Sequence, residues 1–174
     1  MTLQPGIAFL QEPYTAYGRT ASIPRGLSLH AFAGTDPPRA AILAPRYLQA
    51  LTVEHLCTKD SAAVTFRLHG RTVLAVSIYM DSTLPVLQQC LLDSVDFADR
   101  RDLPLLICVD TNCHSVLYGE STNARGEEFE LFLLQNGLDV QNRGTQPTFE
   151  VVRAGVRLAS CIDVTLTKRL DVQN

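Results

Sequence analysis

The feature that most constrains the fold of this chain is a pair of strand-like segments separated by only three residues. Residues 62–68 and 72–79 are rich in valine, threonine, isoleucine and aromatic side chains. Such residues favour a pleated, half-buried backbone. The short connection at 69–71 therefore predicts a tight antiparallel hairpin.

A helix and a buried strand are predicted directly after this hairpin. Apolar residues recur at helical spacing from Leu84 to Ala98, and the pattern stops before Pro104, which predicts an amphipathic helix. The next segment, 105–109, is wholly apolar and leads straight into Asp110. A short apolar run of this kind predicts a strand.

Strands and helices alternate along the rest of the chain as well. Asn123 is placed to cap the start of a second helix and Gly137 to end it. Further strands are predicted at 7–11, 40–43, 148–152 and 162–166. The sequence has no repeat and no break in composition. We therefore expect one α/β (α+β) domain over residues 1–174, with helices covering packed, largely antiparallel sheets.

Composition restricts the classes of function. The chain has 174 residues, 46% of them hydrophobic and 19% charged, which is typical of a globular domain and excludes a disordered or fibrous protein. Its net charge is -3, so a positive field that attracts nucleic acid must be local. All but Lys59 and Lys168 of the 15 basic residues are arginine. This bias suits bidentate contacts to phosphate, and it equally fits the base composition of the coding gene.

The cysteines indicate neither a disulfide framework nor a zinc site. The five cysteines include no CxxC pair, and a reducing compartment suits them best. Cys108 and Cys161 stand in apolar segments, so we expect both to pack as small hydrophobic residues on strands. No apolar run approaches the ~20 residues needed to span a membrane, and no signal segment is visible at the start.

Polar residues of one kind stand where the predicted strands begin or end. Glu12 follows the strand at 7–11, Asp110 and Asn112 follow the strand at 105–109, and Asp163 lies at the start of the strand at 162–166. Each of these residues, taken singly, is readily interpreted as a solvated turn residue. Together, carboxylates at strand ends can converge on a hard cation such as Mg²⁺, which can neutralise and polarise a phosphodiester.

Six segments in order resemble the endonucleases of non-LTR retrotransposons, a branch of the endonuclease/exonuclease/phosphatase superfamily. These segments are AFLQEPY at 8–14, SIY at 77–79, VDTNCHS at 109–115 followed by YG at 118–119, NARG at 123–126, the L…GL…N-x-G…PTF pattern over 133–149, and SCIDVTL at 160–166. The resemblance covers nearly all of the chain. It implies a DNase I-like fold, a four-layer sandwich of two mixed sheets flanked by helices.

The resemblance also implies roles for individual residues. Glu12 would bind the metal, with Asp110 within reach of the same hydrated Mg²⁺ or, in its place, Mn²⁺. Asp110 would also orient or activate the attacking water. Tyr79 would donate to the scissile phosphate, Asn112 would hold that phosphate, and Asp163 would orient a catalytic histidine.

Two further residues have weaker assignments. His114 occupies the position that marks the retrotransposon branch of the family, and it has an equally good reading as a hydrogen-bonded structural histidine beside the site. Thr148 is expected to support the structure rather than take part in the chemistry.

The chain also departs from the family pattern. Val109, Thr111 and Cys113 replace a glycine, a phenylalanine and an alanine, and these packing changes preserve the Asp-x-Asn pair. The family's upstream strand with an active-site asparagine and its downstream Ser-Asp-His strand have no counterpart in the 174 residues. No histidine follows a Ser-Asp pair. The expectation is a domain truncated at both ends, weakly active or inactive.

Two classes of function follow from the sequence. The first is a Mg²⁺-dependent DNA endonuclease that nicks a chromosomal strand in the nucleus, so that a reverse transcriptase in the same polyprotein can extend the free 3′ hydroxyl. The second is a degenerate or domesticated remnant that binds nucleic acid or protein without cutting. A phosphomonoesterase of the same superfamily is disfavoured by the retrotransposon-like segments at 109–119 and 123–149.

Overall fold

The fold was analysed in a computed structural model that describes residues 6–16, 19–20, 23–144, 146–153 and 155–170. In chain order the strands are β1 (Ala8–Gln11), β2 (Thr15–Ala16), β3 (Arg19–Thr20), β4 (Leu27–Ala31), β5 (Ala40–Pro45), β6 (Leu51–Thr52), β7 (Ser61–Leu68), β8 (Arg71–Tyr79), β9 (Leu105–Asp110), β10 (Asp139–Val140), β11 (Phe149–Arg153), β12 (Val156–Ser160) and β13 (Asp163–Lys168). The α-helices are α1 (Gln89–Arg100) and α2 (Ala124–Asn136), and short 3₁₀ turns lie at Arg46–Leu48 and Glu54–Leu56.

Two sheets and two small ribbons organise these strands. The larger sheet has the order β10-β13-β9-β8-β7-β6, and the smaller sheet has the order β1-β5-β4. Every pairing is antiparallel except that of β8 with β9. The remaining strands form the ribbons β11-β12 and β2-β3. The predicted pair of packed, largely antiparallel sheets is thus present.

Strand β8 shows how the layers pack. Its alternate residues Val73 and Ala75 are buried between the two sheets, against Ile42 of β5. The intervening residues Leu74 and Val76 belong to a second core that includes residues of α1 and α2. This alternation follows from the two-residue period of a strand. The larger sheet is therefore the central layer, with the smaller sheet on one face and both described α-helices on the other.

The local predictions are confirmed where short-range signals decide the structure. The hairpin of β7 and β8 turns at His69 and Gly70, which have φ angles of 47° and 82°. The side chain of Asn123 accepts a hydrogen bond from the Gly126 amide and caps α2. Gly137 ends that helix in the left-handed region, with φ at 60°.

The predicted start of the first helix and the placement of Cys161 were wrong. Helix α1 begins at Gln89 rather than at Leu84. Pro85 disfavours helical backbone at Leu84, and Gln88 has an extended backbone with φ at -74° and ψ at 148°. Cys161 is buried, as expected, but it lies between β12 and β13 rather than on a strand. Strand β12 itself was missed, because the ribbon it forms with β11 is mostly exposed and has no alternation of buried and exposed residues.

Helix α2 approaches the loop after β9 closely at Gly126. A Cβ atom at this position would lie 1.7 Å from the carbonyl oxygen of His114, which is far inside van der Waals contact. The absence of a side chain at Gly126 therefore allows the helix to pack against the backbone of a predicted site residue.

We predict that Gly126→Ala destabilises the protein although alanine is the better helix former. Overpacking costs about 1–3 kcal/mol, and the gain in helix propensity is at most about 1 kcal/mol. Denaturant unfolding of the variant should show a lower midpoint than wild type. Gln135→Ala, at an exposed position of the same helix, is the control and should unfold within about 0.5 kcal/mol of wild type. A Gly126→Ala protein as stable as wild type would contradict the close packing.

Candidate active site

Five of the predicted site residues line one cavity at the edge of the sheets. The cavity has a volume of 220 Å³, and its lining consists of Glu12, Tyr79, Asp110, Asn112, His114, Phe149, Ser160 and Ile162. The sixth predicted residue, Asp163, is not in this lining. It lies directly opposite Asp110 in the pairing of β13 with β9.

The strand register brings Tyr79 and Asp110 together. Strands β8 and β9 are adjacent and parallel, and Tyr79 is the register partner of Asp110. Because parallel strands end at the same edge of a sheet, both side chains reach that edge. The same pairing places Ser77 beside Cys108. Ser77 lies two residues before Tyr79, and Cys108 lies two residues before Asp110.

Gln11 joins the smaller sheet to this edge. Its side-chain nitrogen donates to the hydroxyl of Ser77 at 2.9 Å and to the carbonyl of Cys108 at 3.1 Å. The Ser77 hydroxyl in turn donates to the carbonyl of Leu10 at 3.0 Å. Gln11 immediately precedes Glu12 in the chain, so the amide fixes β1 against β8 and β9 just below the cavity.

The backbone of Glu12 is held in an uncommon conformation. Its φ angle is 48°, in the left-handed region that non-glycine residues seldom adopt. Its amide donates to the carbonyl of Arg39 at 2.7 Å. This bond ties the residue after β1 to the residue before β5 and directs the chain around the rim of the cavity.

Electrostatic repulsion is concentrated at Asp110. The pKa of this carboxyl group is raised to about 6, mainly by burial and to a smaller extent by the charges of Asp163 and Glu12, while a hydrogen bond from the Asn112 amide acts in the opposite direction. The pKa of Tyr79 is also raised, first by burial and then by Glu12, and Arg39 acts in the opposite direction. The cavity is therefore acidic and favours a cation.

Asn112 is fixed by its neighbours on both sides. Its φ angle is 46°, its backbone amide donates to a carboxylate oxygen of Asp110 at 3.2 Å, and its side-chain nitrogen donates to the carbonyl of Met80 at 2.9 Å. An amide nitrogen carries two hydrogens. One of them is engaged here, and the other can donate to a bound anion.

His114 is exposed, but its backbone is anchored. Its amide donates to the side chain of Asn123 at 3.4 Å, and its carbonyl accepts from the Asn123 amide at 3.1 Å. His114 also lines a second, larger cavity of 480 Å³ beside the β11-β12 ribbon. His114 therefore borders both cavities.

Asp163 and Thr148 meet through the backbone. The hydroxyl of Thr148 accepts hydrogen bonds from the amides of Ile162 and Asp163, each at 3.0 Å, which matches the structural role predicted for this threonine. The side chain of Asn142 donates to the carbonyl of Asp163 at 2.9 Å. Across the described part of the chain, no hydrogen bond joins the Asp163 carboxylate to a histidine.

Sequence reasoning missed a cluster around Arg39. Its guanidinium forms ion pairs with Asp60 and Asp81, and it lies over the ring of Tyr79. Asp81 follows the end of β8 by two residues, so the strand-end signal that singled out Asp110 also applied to it. Arg39 gave no such signal, because its two partners are 21 and 42 residues away in sequence.

The cavity suits a hydrated magnesium ion better than a metal held entirely by protein. Within the described ranges, no group of three or more histidine, cysteine or acidic residues is arranged to hold a metal. The mutual repulsion of Glu12 and Asp110 is what a bound cation would relieve. Mg²⁺ is commonly held by one or two carboxylates and keeps several waters, so this pair fits it.

The fold and this acidic edge define a DNase I-like nuclease domain. The family model described as endonuclease-reverse transcriptase matches residues 73–173. The chain therefore belongs to the endonuclease-reverse transcriptase family. The matched segment includes Tyr79, Asp110 and Asp163 and leaves out Glu12. No curated protein matches the sequence.

Solved structures agree with this assignment. The chain is similar to the endonuclease domain of TRAS1, a telomere-specific non-LTR retrotransposon, with 28% identity and a TM-score of 0.78 over 94% of this chain and 73% of that one. An endonuclease/exonuclease/phosphatase family protein from Leptotrichia buccalis C-1013-b has 11% identity and a TM-score of 0.60, over 93% of this chain and 75% of that one. The human Nocturnin catalytic domain has 14% identity and a TM-score of 0.51, over 94% and 60%. The last two likenesses concern the fold alone.

The helices of the described residues give no candidate for a membrane span. Neither α-helix is long and apolar enough to cross a bilayer.

We predict that Asp110→Asn stabilises the metal-free protein more at pH 7.5 than at pH 4. The folded-state pKa of Asp110 is about 6, above its unfolded value of about 4. A raised pKa gives stability that is present below the unfolded value and lost as the pH rises through the folded one. The neutral asparagine avoids that loss.

Melting temperatures in EDTA at the two pH values test this prediction. The melting temperature of the variant minus that of wild type should grow by a few degrees between pH 4 and pH 7.5. The corresponding change in the free energy of unfolding is on the order of 1 kcal/mol once solvent screening at this half-buried site is allowed for. Asp36→Asn, at an exposed position, is the matched control. An advantage independent of pH would contradict the raised pKa.

Proposed function

We propose that this chain is a Mg²⁺-dependent DNA endonuclease domain that hydrolyses one phosphodiester of its target. The observation that carries the proposal is the convergence of Glu12, Asp110 and Tyr79 on one acidic cavity in a chain of the endonuclease-reverse transcriptase family. In the proposed role the domain nicks chromosomal DNA in the nucleus. A reverse transcriptase of the same polyprotein then extends the free 3′ end.

The two carboxylates of the cavity have distinct tasks in this proposal. Glu12 and Asp110 hold the metal, with Mn²⁺ as a possible substitute for Mg²⁺. When bound, the ion neutralises the phosphate and polarises the bond to be broken. Asp110 also orients the attacking water. Its buried position beside the Asn112 amide keeps one oxygen fixed by a hydrogen bond, so the carboxylate has a defined direction.

Tyr79 and Asn112 act on the phosphate as neutral donors. Because the pKa of Tyr79 is raised, its hydroxyl remains protonated at neutral pH and can donate to a nonbridging oxygen. The free amide hydrogen of Asn112 can donate to a second oxygen. Donors that are fixed before the reaction stabilise the charge that develops in the transition state.

His114 and Asp163 are proposed to assist proton transfer. His114 lines the cavity, where it would donate a proton to the leaving oxygen, and Asp163 adds negative charge beside Asp110. Histidine is the most frequent general acid or base in enzymes. In this proposal the two residues increase the rate, while Glu12 and Asp110 make the larger contribution by holding the metal.

Nicking of supercoiled plasmid DNA by the 174-residue chain tests the proposal. In Mg²⁺ we expect slow conversion to open circles that stops in EDTA. Asp110→Ala and Glu12→Gln should reduce the rate about 10²-fold or more, the usual effect of removing a group that acts in the transition state. Glu128→Gln, at an exposed position of α2, should cut like wild type.

Two results would contradict an enzymatic role. The first is a nicking rate that Asp110→Ala leaves unchanged, which would assign the activity to a contaminant. The second is retained binding of DNA with no nicking in Mg²⁺ or Mn²⁺, which would favour the non-cutting binding module.

A further inference from the structure

Arg39 contacts the backbone of one proposed site residue and the side chain of another. It immediately precedes β5, and its carbonyl accepts the amide of Glu12 at 2.7 Å. Its guanidinium carbon lies 4.6 Å from the centre of the Tyr79 ring. This distance is within the range of a cation–π contact.

Two aspartates hold the guanidinium in this place. Its Nε donates to Asp60, and its Nη1 donates to Asp81 at 2.8 Å. Asp60 is only 8% exposed, and its backbone carbonyl accepts the amide of Tyr79 at 2.9 Å. Asp81 lies two residues after Tyr79. Arg39 therefore contacts the Tyr79 ring, and Asp60 contacts the Tyr79 amide.

The charges around Arg39 argue against a direct role on the phosphate. One guanidinium faces two carboxylates at hydrogen-bond distance, so its positive charge is already offset. Its remaining nitrogen, Nη2, is buried and has no hydrogen-bond partner. Although the Arg39 side chain is 27% exposed as a whole, Nη2 is shielded from water, and loss of water strengthens a cation–π contact. These features favour an action on Tyr79 rather than on substrate.

We infer that Arg39 is a positioning residue that fixes Glu12 through its backbone and the Tyr79 ring through its guanidinium. This inference rests on the proposed function, because it assigns Arg39 to the same site. The ion pairs orient the guanidinium, the guanidinium fixes the plane of the ring, and the ring directs its hydroxyl into the cavity. Arg39 also counteracts the effect of the neighbouring carboxylates on the Tyr79 hydroxyl.

Substitutions at Arg39 separate this role from simple stabilisation. Arg39→Met removes the charge and leaves Asp60 and Asp81 unpaired, which can prevent folding. The triple variant Arg39→Met, Asp60→Asn, Asp81→Asn leaves no unpaired charge at this cluster. The two asparagines keep the shapes of the aspartates that they replace. Arg39→Lys keeps the charge but lacks the planar fork that reaches both aspartates. Arg100→Met, which breaks an exposed ion pair with Asp96 on α1, is the matched control.

The first measurement does not depend on activity. Tyrosine labelled with ¹³C at Cζ is followed by NMR at neutral pH, with Tyr79→Phe used to assign the signal. We expect the Tyr79 resonance to shift in the triple variant, because the ring loses the guanidinium that lies over it. The amide resonance of Glu12 should stay close to wild type and report an intact fold, because any residue at position 39 supplies the backbone carbonyl that this amide contacts. In Arg100→Met both signals should match wild type.

The second measurement is the nicking rate. We expect the triple variant and Arg39→Lys to cut about 10²-fold more slowly than wild type, the cost of small misplacement of reacting groups. In a Tyr79→Phe background the same changes at Arg39 should reduce the nicking rate by a smaller factor. Part of their effect acts through the Tyr79 hydroxyl, which this background already lacks.

The two measurements distinguish the possible failures. An unchanged Tyr79 signal in the folded triple variant would overturn the inference about Arg39, whatever the nicking rates are. A shifted Tyr79 signal supports the inference even if the wild-type chain does not nick, a result that would count against the proposed function alone.

Discussion

The structure of this site depends on one amide that crosses between two sheets. Gln11 of the smaller sheet donates to Ser77 and to the carbonyl of Cys108 in the larger sheet. Each bond contributes only about 1 kcal/mol to stability, but together they fix the relative position of three strands. Glu12, Tyr79 and Asp110 follow their contacted neighbours by one or two residues. The site can therefore form at the meeting point of two sheets whose facing surfaces are largely apolar.

The close placement of these residues reduces the stability of the fold. Asp110 is partly buried beside two other carboxylates. Its pKa is raised to about 6 because its charged form is less stable there than in water. Glu12 and Asn112 both have positive φ angles, a conformation that costs energy in non-glycine residues. Hydrogen bonds hold both conformations: the Glu12 amide donates to the carbonyl of Arg39, and the Asn112 side chain donates to the carbonyl of Met80. Function commonly requires such locally unfavourable arrangements.

The sequence predicts those parts of the molecule that short-range signals determine. The hairpin turn at Gly70 and the cap at Asn123 depend on neighbours within a few residues, and the strand ending in Asp110 depends on a continuous apolar run. The convergence of Glu12 with Asp110 could be predicted because polar residues at strand ends meet at sheet edges. The ion pairs of Arg39 could not, since their partners are brought together only by the packing of two sheets.

We propose that Glu12 and Asp110 form one cation site, and the sharpest test is a Mg²⁺ titration followed by NMR. Amide and carboxyl resonances are recorded from the metal-free protein up to millimolar Mg²⁺. We expect saturable shifts for Glu12 and Asp110 with a common dissociation constant, and the loss of these shifts in Glu12→Gln. Shifts that are absent at both residues, or that saturate at different concentrations for each, would contradict a shared site.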